Sequence, residues 1–235
     1  MGARVDADAI VLGAGSSSRM GGRDKVLVQL GGEPLLLWSL RACEAAPSVR
    51  RVVVTASPHN LVSLERAVGN ARLDKVTMVV TGGATRAHSV LCGLEALAAD
   101  PSAYAVVHDG ARPFVTPDLI ERTLAAAREA GAALAATPAV DTVKIVDAER
   151  LVMESPARAR VWLAQTPQAG RLADLLRAHR AERERLATFT DDVALLATLG
   201  IRARAVESDP LNFKVTTPAD LRRAEAVAAA RHSIA

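Results

Sequence analysis

The stretch from Leu12 to Lys25 reads LGAGSSSRMGGRDK and follows the apolar run AIV. Small residues after a strand let backbone N–H groups approach a ligand closely, and Arg19 and Lys25 add positive charge, so the chemistry on offer is anion binding. Two phosphate loops fit it badly. A P-loop puts Ser or Thr after its lysine to hold magnesium, whereas Lys25 lies between Asp24 and Val26. A dinucleotide fingerprint wants a third glycine where Ser18 stands and an acid closing the second strand, where RVVVTASPH offers Thr55 and Ser57. A tight strand-to-helix turn with solvated charges is the bland alternative.

Further candidates recur where apolar runs end: TGGATRAHS, HDGARP with Asp109 and Arg112, QTPQ, FTDD and NFKVTTPADL. In an open parallel sheet ligands bind at the carboxyl ends of strands, which gathers these segments into one list. An Asp and an Arg bracketing a glycine turn suit a metal-nucleotide and an anion. Thr190 before Asp191 and Asp192, and Thr217 before Pro218, also read as helix N-caps. TGG also reads as a simple turn before a helix.

The elements that must position these groups alternate. AIVLG, RVVVTA, VTMVV, YAVVHD, ALAATPAV and RARAVE read as strands. PLLLWSLRACEAA, NLVSLERAV, RAHSVLCGLEALAA, PDLIERTLAAAREA and VALLATLG carry helical spacing. The alternation predicts an α/β fold: one three-layer, Rossmann-like domain over residues 1–235 with a mostly parallel sheet. Residues 142–165 break the rhythm. Their alternating pieces TVKIV and RLVME flank the polar turn DAE, which predicts an inserted β-hairpin. Such an arm has little core of its own, and a second subunit is the obvious thing for it to pack on.

Composition narrows the classes. Half of the 235 residues are hydrophobic and 23% charged, as in an ordinary globular protein. The net charge of +3 is spread along the chain and only 3% of residues are aromatic, which argues against a nucleic-acid partner. No apolar run reaches the ~20 residues of a membrane span. Residues 1–9 carry Asp6 and Asp8 and show no export signal, and Cys43 and Cys92 have no metal spacing, so the expectation is the reducing cytoplasm. Lysine is rare beside arginine: Lys25, Lys75, Lys144 and Lys214 are all there is. A lysine kept in such a chain can mark a place where a compact point charge is wanted.

The opening loop resembles the signature of nucleotidyltransferases of the glycosyltransferase-A-like type. Together with TGGATRAHSVLCGL, VVHDGARPF, PAVDTVK, LAQTPQ, TDD and NFKVTTPADL, in order from Ala9 to about Arg231, it resembles the 2-C-methyl-D-erythritol 4-phosphate cytidylyltransferases. These make CDP-methylerythritol and pyrophosphate in non-mevalonate isoprenoid synthesis. The resemblance implies that Gly13, Ala14, Gly15, Gly83 and Ser89 line the cytosine and ribose, and that Arg19 and Lys25 hold the CTP phosphates. It implies Asp109 beside the ribose and a magnesium ion carried mainly by the triphosphate. It implies Arg112, Thr142, Arg158, Thr166, Thr190 and Lys214 around the sugar-alcohol phosphate, with Arg19, Lys25, Arg158 and Lys214 as the catalytic groups. It also implies a homodimer that exchanges arms, so that Thr142 and Arg158 serve the neighbour's site.

Some positions depart from that family's pattern. Gly13 stands where alanine is common, Ser17 where glycine is common, Asp24 where proline usually precedes the lysine, and Ala84 where an acid is frequent. SSRMGGRDK is closer to the molybdenum-cofactor nucleotidyltransferases, which share the fold. These, and a ribitol-type polyol-phosphate cytidylyltransferase, remain alternatives. With the chain ending at Ala235, a fused cyclodiphosphate synthase is not expected.

Overall fold

The apolar strand residues divide by period two between the faces of one sheet. Ala9, Val11, Val52, Val54 and Val106 belong to one core cluster. Ile10, Val53, Ala105 and Val107 belong to another. A sheet with both faces apolar must be covered on both. The computed structural model describes residues 6–15, 20 and 24–232 and has that three-layer form.

Its main sheet contains β1 (Ala7–Gly13), β4 (Val49–Ala56), β5 (Val76–Thr81), β6 (Tyr104–Asp109), β7 (Ala132–Pro138), β10 (Trp162–Arg171) and β11 (Ala203–Glu207). The seven strands run in the order β11-β7-β10-β6-β1-β4-β5. β1 pairs parallel with β4 and β6, β4 with β5, and β11 with β7; β10 lies antiparallel between β6 and β7. The short pairs β2 (Gln29–Leu30) with β3 (Glu33–Pro34), and β8 (Ile145–Val146) with β9 (Val152–Glu154), are separate hairpins.

Helices α1 (Leu35–Ala45), α2 (Leu61–Ala71) and α4 (Pro117–Ala130) pack Leu36, Leu40, Leu64, Ile120 and Leu124 on one face. On the other, α3 (Arg86–Leu97), α5 (Leu172–Ala181) and α6 (Asp192–Thr198) bury Val90, Leu94, Leu175, Leu195 and Leu196. A third cluster joins Phe114 and Val215 to Ala224 and Ala228 of α7 (Pro218–His232). Among the described residues no helix is long and apolar enough to cross a membrane.

Besides the short pair β2 and β3, three longer elements differ from the sequence expectation. β10 is absent from it because Pro167 removes a ladder donor and argues against a central strand. The structure accommodates Pro167 where the β7 register breaks between Ala164 and Gln168, and the Thr166–Pro167 peptide is cis. α7 lies in an arginine- and alanine-rich stretch whose apolar periodicity is weak, whereas α5 carries Leu172, Leu175 and Leu176 at helical spacing, a signal the sequence expectation left unused. The hairpin expected within residues 142–165 is there as β8 and β9, and its apolar side chains are exposed, Leu151 at 66%, Val152 at 59% and Met153 at 69%.

Candidate active site

From β1 the chain moves outward to β4 and β5, then returns across β1 to β6. The carboxyl ends of β1 and β6 are therefore the switch point of the sheet, where a crevice opens between connections that leave in opposite directions. A cavity of about 340 Å³ stands there, lined by Ala14, Gly15, Lys25, Gly83, Ser89, Asp109 and Lys214, and also by Thr85, Arg86 and Thr216.

Each wall has a local cause. Gly83 follows β5, where an added Cβ would come within 2.4 Å of the His88 Cβ, so only glycine lets the turn press against α3. Thr85 caps that helix, its hydroxyl oxygen accepting the His88 N–H at 3.4 Å. Ser89, one turn on, accepts the Gly83 N–H at 3.2 Å and donates toward the Thr85 carbonyl at 3.0 Å. The loop carrying Lys214 is pinned by the Val215 N–H to the Ala111 carbonyl at 2.8 Å and by Arg112 to the Asn212 carbonyl at 2.9 Å. It then enters α7 through a capping box, with Thr217 accepting the Asp220 N–H at 3.2 Å and Asp220 accepting from Thr216 and Thr217.

Asp109 is the electrostatic centre. Its Oδ2 accepts from Lys214 Nζ at 2.7 Å and its Oδ1 from Arg86 Nε at 3.1 Å, with Arg112 Nε 3.8 Å away. Burial pushes this carboxyl up, but Arg86, Lys214 and Arg112 together outweigh it and hold the group well below the usual carboxylate range. Its backbone N–H donates to Thr166 Oγ1 at 3.0 Å, and Thr166 Oγ1 lies 3.1 Å from His108 Nδ1. His108 Nε2 faces the Arg112 carbonyl at 3.2 Å. Burial lowers this imidazole to about 4, so it is neutral at pH 7. With the proton on Nε2 for Arg112, Nδ1 accepts the Thr166 hydroxyl proton, and every polar atom in the chain of bonds is matched.

Arg86 carries the network outward. Its second bond is to Asp192 Oδ2 at 2.9 Å, and Asp192, 1% exposed, lies 3.5 Å from the buried His179. Burial raises the Asp192 carboxyl and Arg86, then His179, bring it below its ordinary value.

The residues singled out in the sequence separate into groups. Ala14, Gly15, Lys25, Gly83, Ser89, Asp109 and Lys214 share the cavity wall. Gly13 lies beneath it, buried against β4, where a Cβ would stand 2.9 Å from the Thr55 carbonyl. Arg112 and Thr166 stand behind Asp109, and exposed Thr190 precedes α6. The cap of α6 is Asp191, which accepts the Ala194 N–H at 2.8 Å, and not Thr190. Thr142 and Arg158 are exposed at the arm, Arg158 donating to the Val140 carbonyl at 3.1 Å. Arg19 lies outside the described residues. Of the lysines, Lys25 and Lys214 line the cavity, whereas Lys75 donates to the Ala46 carbonyl and Lys144 to Ser155.

Arg86, within TGGATRAHS, is a site residue that the sequence motifs do not single out. A signal was there: a cation in the first turn of a helix opposes the macrodipole and needs an acidic partner. Asp192, His108 and Asn212 were legible only as cap, strand and loop residues.

The model of one protein family, 2-C-methyl-D-erythritol 4-phosphate cytidylyltransferase, matches residues 7–230. The chain belongs to this cytidylyltransferase family. A cytidylyltransferase of that name from Synechococcus sp. (strain WH7803) is 40% identical over 94% of this chain and 99% of its own. Among solved structures, 4-diphosphocytidyl-2C-methyl-D-erythritol synthase from Anaerococcus prevotii superposes with a TM-score of 0.84 at 27% identity, covering 94% of this chain and 95% of that one. The cytidylyltransferase from Thermus thermophilus gives 0.74 at 33% identity, covering 95% and 99%. This cytidylyltransferase family is one of nucleotidyltransferases.

Proposed function

We infer that the chain transfers a cytidylyl group from CTP to 2-C-methyl-D-erythritol 4-phosphate and releases pyrophosphate, in isoprenoid precursor synthesis. The observation that carries this reading is the pairing of Lys214 with Asp109 in one cavity with Lys25, walled also by Ala14, Gly15, Gly83 and Ser89, within a chain of this family.

A phosphate oxygen of the sugar-alcohol phosphate attacks the α-phosphorus of CTP in line; a P–O bond forms as the bond to pyrophosphate breaks. Negative charge collects on the α-phosphate and leaving oxygens. Lys25, with Arg19, meets that charge, and fixed cations stabilise it more than they stabilise the ground state. Ala14, Gly15, Gly83 and Ser89, above Gly13, hold the base and ribose. Asp109 holds Lys214 and Arg86 in place while Lys214 aims the attacking phosphate. The divalent ion, magnesium, enters as part of the nucleotide substrate, carried by its triphosphate near Asp109, whose two oxygens accept from Arg86 and Lys214.

Thr190 faces the sugar-alcohol phosphate from this chain, while Arg112 and Thr166 act from behind Asp109, Arg112 by bracing the Lys214 loop and Thr166 by holding the Asp109 backbone. Thr142 and Arg158 do so from the arm of a second copy, in a cytoplasmic homodimer with no nucleic-acid or membrane partner. What supports the dimer is the arm, whose Leu151, Val152 and Met153 are each more than half exposed. Apolar surface of this kind marks a protein contact. The test is pyrophosphate release on mixing the chain with CTP, magnesium and the sugar-alcohol phosphate. No release, or equal release with GTP, overturns the reading, because a pocket that hydrogen-bonds one base edge leaves polar groups unpaired with another.

A further inference from the structure

Asn60 occupies the position before α2 where asparagine ordinarily caps a helix, yet its side chain makes no capping bond. It is 3% exposed and its amide is fully used elsewhere. Oδ1 accepts the Ser57 N–H at 2.8 Å. Nδ2 donates to the Gly13 carbonyl at 3.0 Å and to Asp24 Oδ2 at 2.5 Å. One side chain therefore ties the end of β1, where the chain enters the nucleotide loop, to Asp24, where it approaches Lys25.

Asp24 is itself a turn-former. Its Oδ1 accepts the Val26 N–H at 3.1 Å, and its carbonyl accepts from Leu27 and Val28, both at 3.1 Å. The turn it starts contains Lys25 and is anchored to α1 through Leu36 N–H to the Val26 carbonyl at 3.0 Å. Proline, common at this position in the family, holds a backbone angle but has no carboxylate. Here a carboxylate and a buried amide replace that stiffness with a bond across the loop.

We propose that Asn60 and Asp24 form a clasp closing the stem of the nucleotide loop, and that they are positioning residues for CTP: they set the backbone of Ala14 and Gly15 against the Lys25 ammonium. This deepens the cytidylyltransferase reading and rests on it. The clasp touches neither the Lys214 loop nor the elements that meet the sugar-alcohol phosphate, so its loss acts on one substrate. A shift of about 1 Å in a fixed cation is enough for up to a 10²-fold effect.

The test is Asn60→Asp, which keeps size but sets a carboxylate against Asp24 and the Gly13 carbonyl. Expected is a loss of about 10- to 100-fold in kcat/KM for CTP, a matching weakening of the CTP Kd by calorimetry, and a KM for the sugar-alcohol phosphate within about twofold of wild type. Adding Asp24→Asn returns a donor across the clasp and recovers most of the loss. A CTP Kd unchanged in Asn60→Asp, or equal changes for both substrates that follow only a lowered Tm, overturns the clasp. Wild type that binds CTP but releases no pyrophosphate overturns the assigned reaction, and the Kd ratio still judges the clasp. Wild type that binds no CTP overturns both.

Discussion

Replacing Arg86 by Met keeps the aliphatic stem and removes the one cation shared by two buried carboxylates. Asp109 retains Lys214 at 2.7 Å and Arg112 at 3.8 Å. Asp192, buried, retains only His179 at 3.5 Å, so the penalty falls mainly there. Breaking a buried pair from one side costs about 3–5 kcal/mol. The Arg86 side chain is 23% exposed and admits some water, which favours the lower figure, about 3 kcal/mol. For a chain of this size that lowers Tm by roughly 6–12 °C.

The sign of the pH dependence separates charge loss from a packing defect. In the wild type both carboxyls lie below their ordinary values, so their contribution is complete above the unfolded value and lost as pH falls. In Arg86→Met, Asp192 is a desolvated carboxylate without its main partner, its folded value rises above the unfolded one, and the destabilisation is relieved as pH falls. The Tm gap measured by calorimetry should therefore be smaller at pH 5 than at pH 7.5, and adding Asp192→Asn should close about half of it. A gap below 2 °C, or one indifferent to pH and to Asp192→Asn, refutes the reasoning.

Lys25→Ala should lower kcat/KM by about 10² or more, the scale of one lost charge-stabilising donor, and Lys25→Arg should not restore it fully, because a planar fork does not replace a point charge; unchanged kinetics in Lys25→Arg would remove the argument from scarce lysines. Lys25→Ala and Arg158→Ala homodimers should each be nearly inactive, yet refolding them as an equal mixture should return roughly a quarter of wild-type activity, since about half the dimers are mixed and each has one intact site. No recovery, with tagged mixed dimers present, would rule out arm exchange. His108 has its folded value at about 4 against an ordinary 6.5, so its contribution is whole above pH 6.5 and roughly 3 kcal/mol of stability is lost as pH falls toward 4; denaturant titrations should show this slope in wild type and a flatter one in His108→Asn.

Period-two strands and helical runs made the parallel core and five of its helices readable, because apolar side chains repeat with the geometry of the element that buries them. The arm was readable for the same reason. β10 was not, since a proline in mid-strand contradicts the local rule and only the bulge against β7 resolves it. Of the cavity wall, Asp109 and the scarce Lys25 and Lys214 were readable as charges where apolar runs end, whereas Ala14, Gly15, Gly83 and Ser89 were implied as lining residues by the family resemblance. Arg86 and Asn60 were not, because what they do depends on partners 106 and 47 residues away in the chain.

What can be known from composition, periodicity and spacing is which segments form strands and helices, and which of their ends carry charge. That information is local: each residue type states its own preference for burial, turn or cap. Which charges meet is a matter of strand order, since the return from β5 across β1 to β6 brings Asp109 beside the β1 loop. Burial then sets what the meeting means. Asp109 stays ionised inside the protein only because Arg86, Lys214 and Arg112 converge on it from three different segments, and Asn60 serves the nucleotide loop instead of its own helix because folding places Gly13 and Asp24 within reach of its amide.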